Sequence, residues 1–561
     1  MARDPGEGEA FVFDLVDDEG WDVPSGPPGP GAGAEGDGVG PDGALPEAGD
    51  PLPHDALGSR LRTLVPVATM LAVVLGTGVA VDSMRDAARI KEIREAPGGV
   101  VDVSVPLSEL WTWEGSSGPE DTTNWFAVAD LGGELTFLSE GELVGLDPAS
   151  GDRAWSVPLG ENPDCGPLGY PGMGGLATSS LVCLQGADTA REAITVGPGG
   201  VTSEPRALDA ADDRRHGTAR PGPDGMVLRA QRIGPESAID VGDARCTATT
   251  GECSGTVEAG RDLRLRAEDA TTGEERWRVT VAFRATPAQE CTPWYGNPWN
   301  RLYDVTDDEA LAPDAFGAQA AAGLIDLWGC GTWAAVTPEG ALLRTDGVPG
   351  MARLVSLGDT RHAGQMTGIV AMHSDDQPRT VLFGPDGDVV GEVPGYVSAP
   401  QATDEPDALT LLASDESGYR LRSYTTDGTE RWDVEFTDAS PQFLAQVAGT
   451  AVATTWNGSV RGFDVATGAE RWTWVIGETE DPAAYGSEYA EQAFIDGEFV
   501  LLVVRRHDTG MTGLASLDAT SGELVWEESM ADTVGEGQNA ALLAIDGHLL
   551  AVTPAGITGL G

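Results

Sequence analysis

Residues 514–526 read Leu514-Ala515-Ser516-Leu517-Asp518-Ala519-Thr520-Ser521-Gly522-Glu523-Leu524-Val525-Trp526, and residues 461–472 read Arg461-Gly462-Phe463-Asp464-Val465-Ala466-Thr467-Gly468-Ala469-Glu470-Arg471-Trp472. Both carry the spacing Asp-x3-Gly-x3-Trp. It recurs with Asp147, Gly151 and Trp155, and again with Asp269, Gly273 and Trp277. A degenerate copy with Tyr424, Gly428 and Trp432 keeps the Gly and Trp without the Asp. An apolar-rich stretch precedes each copy, as in Leu143-Val144-Gly145-Leu146. Internal repetition of this kind decides architecture ahead of local propensity.

The spacing predicts strand, tight turn, strand. The Asp ends the first strand and its carboxylate accepts hydrogen bonds from backbone N–H groups of the turn. The Gly falls where a hairpin loop with a bulge needs a positive φ. The Trp is expected to open the returning strand and to supply a large apolar wedge for the gap to the next sheet. One such sheet cannot bury its own faces, so several must stack around an axis. These Asp, Gly and Trp residues therefore read as structural.

Segments 461–472 and 514–526 resemble the PQQ-type (pyrroloquinoline-quinone) β-propeller repeat. The resemblance extends from roughly Leu107 to the C-terminus and implies an all-β fold of eight blades, with seven to nine allowed. That family holds quinoprotein dehydrogenases and cofactor-free propellers, among them the outer-membrane-assembly propeller lipoprotein. It therefore implies a fold more than a reaction.

The longer gaps between Trp positions hide degenerate units. One runs from Leu176 to Leu208, one from Gly331 to Arg344 around Thr337–Gly340, and one from Gly368 to Val393 around Gly384–Gly387. The C-terminal run 549–560 stops where another repeat would begin. Its missing outer strand is available in Leu110-Trp111-Thr112-Trp113-Glu114, so the ring is expected to close between the two ends of the domain, leaving no free sheet edge.

Ahead of the propeller, expected over 107–561, three segments differ in composition. Residues 1–59 form an acidic tail rich in Pro and Gly that buries too little apolar surface to fold. One island in it, Phe11-Val12-Phe13-Asp14-Leu15-Val16 followed by Trp21, suits a short motif docking a cytosolic partner. Residues 60–82 are expected to be one transmembrane helix, since no charge falls between Thr63 and Val81. Residues 83–106 read as a juxtamembrane stalk and linker ending at Pro97-Gly98-Gly99. Orientation is contested by charge: Arg60 and Arg62 precede the span, while Arg85, Arg89, Lys91 and Arg94 follow it. All six cysteines lie in the propeller, which favours a cytoplasmic N-terminus and an extracytoplasmic ring.

Cys165, Cys183, Cys246, Cys253, Cys291 and Cys330 allow fifteen pairings. Nearest-neighbour pairing is expected, and zinc is the alternative, though no Cys-x2-Cys pair or His spacing supports a metal. The net charge of −56 argues against nucleic acid as a partner. With 41% hydrophobic residues the 561-residue chain can bury a large core.

No catalytic site stands out. Quinoprotein dehydrogenases hold their cofactor against a vicinal Cys-Cys disulfide, and no two cysteines are adjacent here. No Gly-x-Ser-x-Gly elbow occurs, the six His are scattered, and the acid cluster Asp304, Asp307, Asp308 and Glu309 lacks the alternation of a calcium loop. No cofactor or metal is therefore expected. The unusual stretch lies between Cys291 and Cys330, where Trp294, Tyr295, Trp299 and Tyr303 concentrate aromatic anchors. These four are the expected partner-binding residues. The sequence thus reads as a non-enzymatic, membrane-anchored propeller that binds or scaffolds an envelope protein, peptide or glycan. The alternatives are a ligand sensor signalling through the tail, and a quinone-dependent dehydrogenase.

Overall fold

The computed structural model describes residues 88–114, 127–169, 177–187, 190–247, 252–292, 311–321, 324–343, 353–356, 367–372, 378–384, 387–405, 411–414, 420–425, 427–436, 441–455, 458–476, 488–506, 510–529, 540–553 and 556–561. All belong to one compact unit, Val79–Gly561. The tail, the expected span over 60–82 and the Phe11–Trp21 motif lie outside the described residues. Among those described, no helix is long and apolar enough to cross a membrane.

Among the described residues, nine sheets of four or five strands follow one another along the chain. The first is built on Val128–Leu131, Leu135–Ser139, Glu142–Leu146 and Arg153–Pro158. The second uses Asp164–Gly166, Leu181–Gln185 and Glu192–Gly197, with Val201–Thr202 and Arg206–Ala207 outermost. Ala219–Pro221, Met226–Ile233, Asp262–Asp269 and Glu275–Val281 form the third. The fourth holds Phe316–Ala321, Leu324–Gly329, Thr332–Val336 and Leu342–Leu343. The fifth runs from Arg353–Ser356 to Val389–Pro394, and the sixth from Tyr396–Ser398 to Glu430–Glu435. The seventh spans Pro441–Val447 to Glu470–Val475, and the eighth Glu488–Ile495 to Leu524–Ser529. The ninth joins Ala541–Ile545, His548–Thr553 and Gly556–Leu560 to the early strand Glu109–Glu114. That last pairing is antiparallel, with Trp111 opposite Gly559 and Glu114 opposite Gly556.

Each sheet shares a buried apolar cluster with the next. Leu412, Trp432, Phe443 and Phe463 join the sixth and seventh, and Leu444, Trp472, Leu502 and Leu517 join the seventh and eighth. The cycle closes where Leu543, Leu550 and Ile557 of the ninth meet Val128, Leu135 and Val144 of the first. Burial of apolar area on both faces of every sheet is what holds the ring. The described residues form nine such sheets, against the eight blades, with seven to nine allowed, that the family resemblance implies.

The repeat has the predicted turn geometry. Asp147 accepts from the backbone N–H of Ala149, and Asp269 from those of Thr271 and Thr272. Asp464 accepts from Ala466 and Thr467, and Asp518 from Thr520 and Ser521. The turn glycines Gly151, Gly273, Gly468 and Gly522 sit at φ 71°, 77°, 71° and 70°, where a side chain would be strained.

The place of the Trp needs a correction. The returning strand opens two residues after the Gly, at Arg153 after Gly151, so Trp155 is its third residue and not its first. The cause is local: Asp147 N donates to Asp152 O and Gly151 N to Asp147 O, which closes the turn before the Trp is reached. Pairing resumes at Leu146 opposite Arg153, and a bulge then sets Gly145 opposite Trp155.

The Trp serves the neighbouring sheet, as expected. Trp111 of the ninth sheet lies against Gly151 of the first so closely that a Cβ there would strike its ring, and Trp472 lies likewise against Gly522 of the eighth. These glycines are thus needed twice, for their backbone angle and for the ring that covers them. Trp472 donates its Nε1–H to Ala519 O at 2.9 Å. Trp432, Trp277 and Trp111 do the same to Val465 O (2.8 Å), Pro338 O (2.7 Å) and Pro148 O (3.2 Å). Each acceptor directly follows the residue that opens the next sheet's turn, so the repeat encodes its own junction.

Residues 88–95 are helical, and the segment after them packs onto the ring. Arg89 pairs with Glu498, and Arg94 lies 3.8 Å from Asp546. Val100, Val103 and Leu107 are buried in the cluster between the eighth and ninth sheets. Thus the stretch expected as stalk and linker is, over 93–106, part of the propeller's own packing. Its apolar residues Ile93, Val100 and Val103 are the physical reason.

Candidate partner-binding site

In a four-stranded up-and-down sheet, the turns joining strands one to two and three to four share one face of the ring. The Asp turns and residues 88–101 lie there. The connections of strands two to three, and of one sheet to the next, emerge on the opposite face. The described parts of two long connections around the third sheet, residues 234–247 with 252–261 and 282–292 with 311–315, emerge on that opposite face.

The described parts of these connections form a satellite core. Ala244, Val257, Ala288, Cys291 and Cys330 are buried together, with Cys246, Cys253, Phe283 and Leu311 packed on them. Disulfides join Cys246 to Cys253 and Cys291 to Cys330, and a third joins Cys165 to Cys183 across two strands of the second sheet. These are the nearest-neighbour pairs. Arg232 knits the satellite to the ring, donating to Arg261 O, Ala315 O and Cys330 O at 2.8, 3.0 and 3.0 Å. Arg261 grips the Asp314 carboxylate through two bonds of 2.8 and 2.6 Å. A buried guanidinium whose donors meet carbonyls is a stable crosslink.

Trp294, Tyr295, Trp299 and Tyr303 lie outside the described residues, as does the acid cluster 304–309. What the structure places is the frame at either end of that stretch. Cys291 O accepts from Ala312 N at 2.7 Å, and Trp328 stands opposite Trp333 across the strands that flank Cys330. Sequence reasoning passed over Arg232 and Arg261. Their signal was available as the high density of arginines around them.

A quinone cofactor on the axis would need a vicinal disulfide and room beside the innermost strands. All six cysteines are consumed by the three non-adjacent pairs. The innermost strand of the first sheet is covered by Ala177–Thr178, paired in parallel with Asp130 and Leu131. That of the seventh is covered by Ala402–Thr403, both fully buried, and Thr403 N donates to Pro97 O. The residues present do not fit the quinone group. Among the described residues no cluster of three His, Cys, Asp or Glu could hold a metal ion.

One carboxyl is out of its usual range. Asp326 lies on the second strand of the fourth sheet, where burial pushes it up to about 7 against the pull of a backbone hydrogen bond from Leu327. Its Oδ1 has no hydrogen-bond partner. Strand alternation puts it on the face of Leu324, which packs towards the fifth sheet.

Turn chemistry, ring closure and junction geometry together define a β-propeller fold. The family model described as outer membrane protein assembly factor BamB matches residues 407–556, the sixth sheet to the ninth. No curated protein matches the chain. Similar solved structures include BamB from Moraxella catarrhalis, at 15% identity over 81% of this chain and 97% of that one, TM-score 0.36. They also include the computationally designed Ika8 protein, at 12% over 74% and 98%, TM-score 0.30. Saccharomyces cerevisiae Sqt1 follows at 8% over 81% and 99%, TM-score 0.35. These likenesses carry no functional argument.

Proposed function

We propose that this chain is a non-catalytic, membrane-anchored scaffold whose propeller binds an envelope protein, peptide or glycan outside the cell. We read the nine sheets as nine blades and the span over 60–82 as the anchor. The observation that carries the reading is the division of labour between the two faces. Residues 88–107 are bound to the Asp-turn face, while the disulfide-knit satellite stands on the opposite face, and we take Trp294, Tyr295, Trp299 and Tyr303, which follow Cys291 in the sequence, as its partner-binding residues. Three disulfides suit an oxidising compartment, which supports a cytoplasmic N-terminus with the ring outside. The propellers of outer-membrane assembly supply a precedent for scaffolding, not for the partner.

Proximity labelling from the C-terminus, with a second label at the N-terminus, tests both topology and partners. The propeller label should mark envelope proteins and the N-terminal label cytosolic ones. Recovery of cytosolic proteins alone by the propeller label would sink this reading, as would turnover with added quinone and an electron-accepting dye.

A further inference from the structure

The chain is strongly acidic, yet fourteen of its 34 basic residues are arginines lying between Arg191 and Arg284. Several converge where the second sheet meets the third. Arg229, Arg266 and Arg278 stand directly opposite one another across three consecutive strands. Like charges in register destabilise a sheet. Three carboxylates offset part of this. Glu268, fully buried, meets Arg206 at 3.0 Å, Arg266 at 3.3 Å and Arg229 at 3.4 Å. Glu275 meets Arg266 and Arg278, and Asp213 meets Arg229. Arg264, two residues from Arg266 on the same strand and the same face, is left over. Its side chain makes no hydrogen bond or ion pair among the described residues, and its Nε is buried. Arg229, itself fully buried, also keeps one Nη2 without a partner.

A helix on the satellite's face completes the patch. Ala210–His216 ends in Arg214, Arg215 and His216, and Arg215 O accepts from Gln231, the residue paired with Arg264. Burial first, then the charges of Arg266, Arg278 and Arg215, hold the His216 imidazole below its ordinary pKa, with Asp212 pulling the other way. Four guanidiniums (Arg206, Arg229, Arg266 and Arg278) thus share three carboxylates, half-buried Arg264 stands beside them without one, and a charge held from water without a partner is costly. A bound anion would remove that cost and supply the acceptor that Arg264 lacks.

We infer that this junction is an oxyanion-binding site, taking a carboxylate or phosphate group of the partner through Arg264 with Arg266 and Arg278. The inference rests on the propeller being a binding domain and names the chemistry it recognises.

Thermal unfolding of the full chain in detergent, at fixed ionic strength, tests it with inorganic phosphate against chloride. Phosphate should raise the Tm, and Arg264→Gln should weaken phosphate binding about tenfold or more, the worth of one charge-assisted hydrogen bond. Without ligand the same variant should keep or raise the Tm, because Arg264 has no partner to lose. Histidine-labelled NMR should show the His216 pKa rising as phosphate binds. Polyphosphate and poly-glutamate arms assign the source, by which binds tighter. No shift with either anion, or an equal shift in Arg264→Gln, overturns the inference. Envelope capture that survives in Arg264→Gln while anion titrations stay flat removes this site and leaves the scaffold reading standing. Intact phosphate binding without envelope capture by the wild type upholds the site and removes the scaffold.

Discussion

The arc from the sixth sheet through the ninth to the second and the arc from the second to the sixth are held together by different means. In the former, every junction has a docking Trp: Trp432, Trp472, Trp526, Trp111 and Trp155, each with its Nε1–H on an acceptor. In the latter, Trp277 alone does so among the described residues. At the second-to-third junction Arg206 takes the Trp's place, donating to Ala270 O at 2.7 Å and standing over Gly273. At the fourth-to-fifth junction Leu343 and Ala341 lie over Gly387, and at the fifth-to-sixth Gly391 lies against Gly428. All three disulfides fall in or beside this second arc. An aromatic wedge and a carbonyl acceptor make a junction that repeats cheaply. Where the wedge is lost at the second-to-third junction, ion pairs of Arg206 with Glu268 take over and leave room for charged chemistry, while the disulfides brace the second sheet and the satellite.

The contrast breaks most directly at Trp472. Replacing it with Ala should cost about 3–5 kcal/mol in chemical denaturation, because a buried aromatic and its hydrogen bond are lost together. A loss under about 1 kcal/mol would mean that the wedge does not hold the first arc. Removing the Cys291–Cys330 link, which closes 39 residues, should cost about 2–4 kcal/mol. Reducing agent should cost the wild type at least as much, because it also opens Cys165–Cys183 and Cys246–Cys253, and should cost the double variant less than the wild type by the worth of the missing link.

Asp326 sharpens the comparison at a junction without Trp. Its folded pKa of about 7 exceeds the ordinary carboxylate value, so its contribution to stability is full below the unfolded pKa and disappears as pH rises towards 7. Asp326→Asn should therefore gain about 1–3 kcal/mol at pH 8 and flatten the decline between about pH 4 and 7. A pH profile identical to wild type would remove the buried carboxyl as its cause.

The smallest effect belongs to the repeat Asp. Arg471 first, then Thr467, holds the Asp464 carboxyl below its usual range. Its contribution is present above the unfolded pKa and lost as pH falls through the lowered folded one. Asp464→Asn should cost roughly 0.5 kcal/mol at neutral pH, as befits an exposed ion pair, and remove that acid-side dependence.

Much of this was legible in the residues. Asp-x3-Gly-x3-Trp encodes a turn that depends only on neighbours in sequence, so the positive φ of Gly151 and its counterparts follows directly. The strand start at Arg153 was less plain, because the bulge that delays Trp155 is set by pairing with Gly145 and Leu146. Closure by Leu110–Glu114 was readable because residues 549–560 lack an outer strand. The number of sheets was harder. Counting the closing unit separately allows nine, while the family resemblance favours eight, and degenerate units such as the fifth sheet lack the signature that would decide it. Arg206 in the Trp's place could not be foreseen, because its acceptors, Ala270 O and Glu268, come from the next sheet. The packing of 93–107 depends likewise on contacts some 400 residues away in sequence. The aromatic residues 294–303 stood out only by composition, and the arginine row needs strand register before its charges can be placed side by side.

In the eighth-to-ninth junction the acceptor for Trp526 is Val103 O, 423 residues earlier in the chain. No turn joins the last two strands of the ninth sheet, since they come from opposite ends of the domain, and Val103 stands where that turn would be. Residues 103–114 are therefore synthesised first and satisfied last. During synthesis the ring stays open, with one strand waiting, until residues 541–560 arrive. Such late, non-local pairing is intrinsically slow. A chain cut short by even its final strand would expose both an unpaired edge and an unoccupied indole site, a mark by which quality control could tell an unfinished molecule from a complete one.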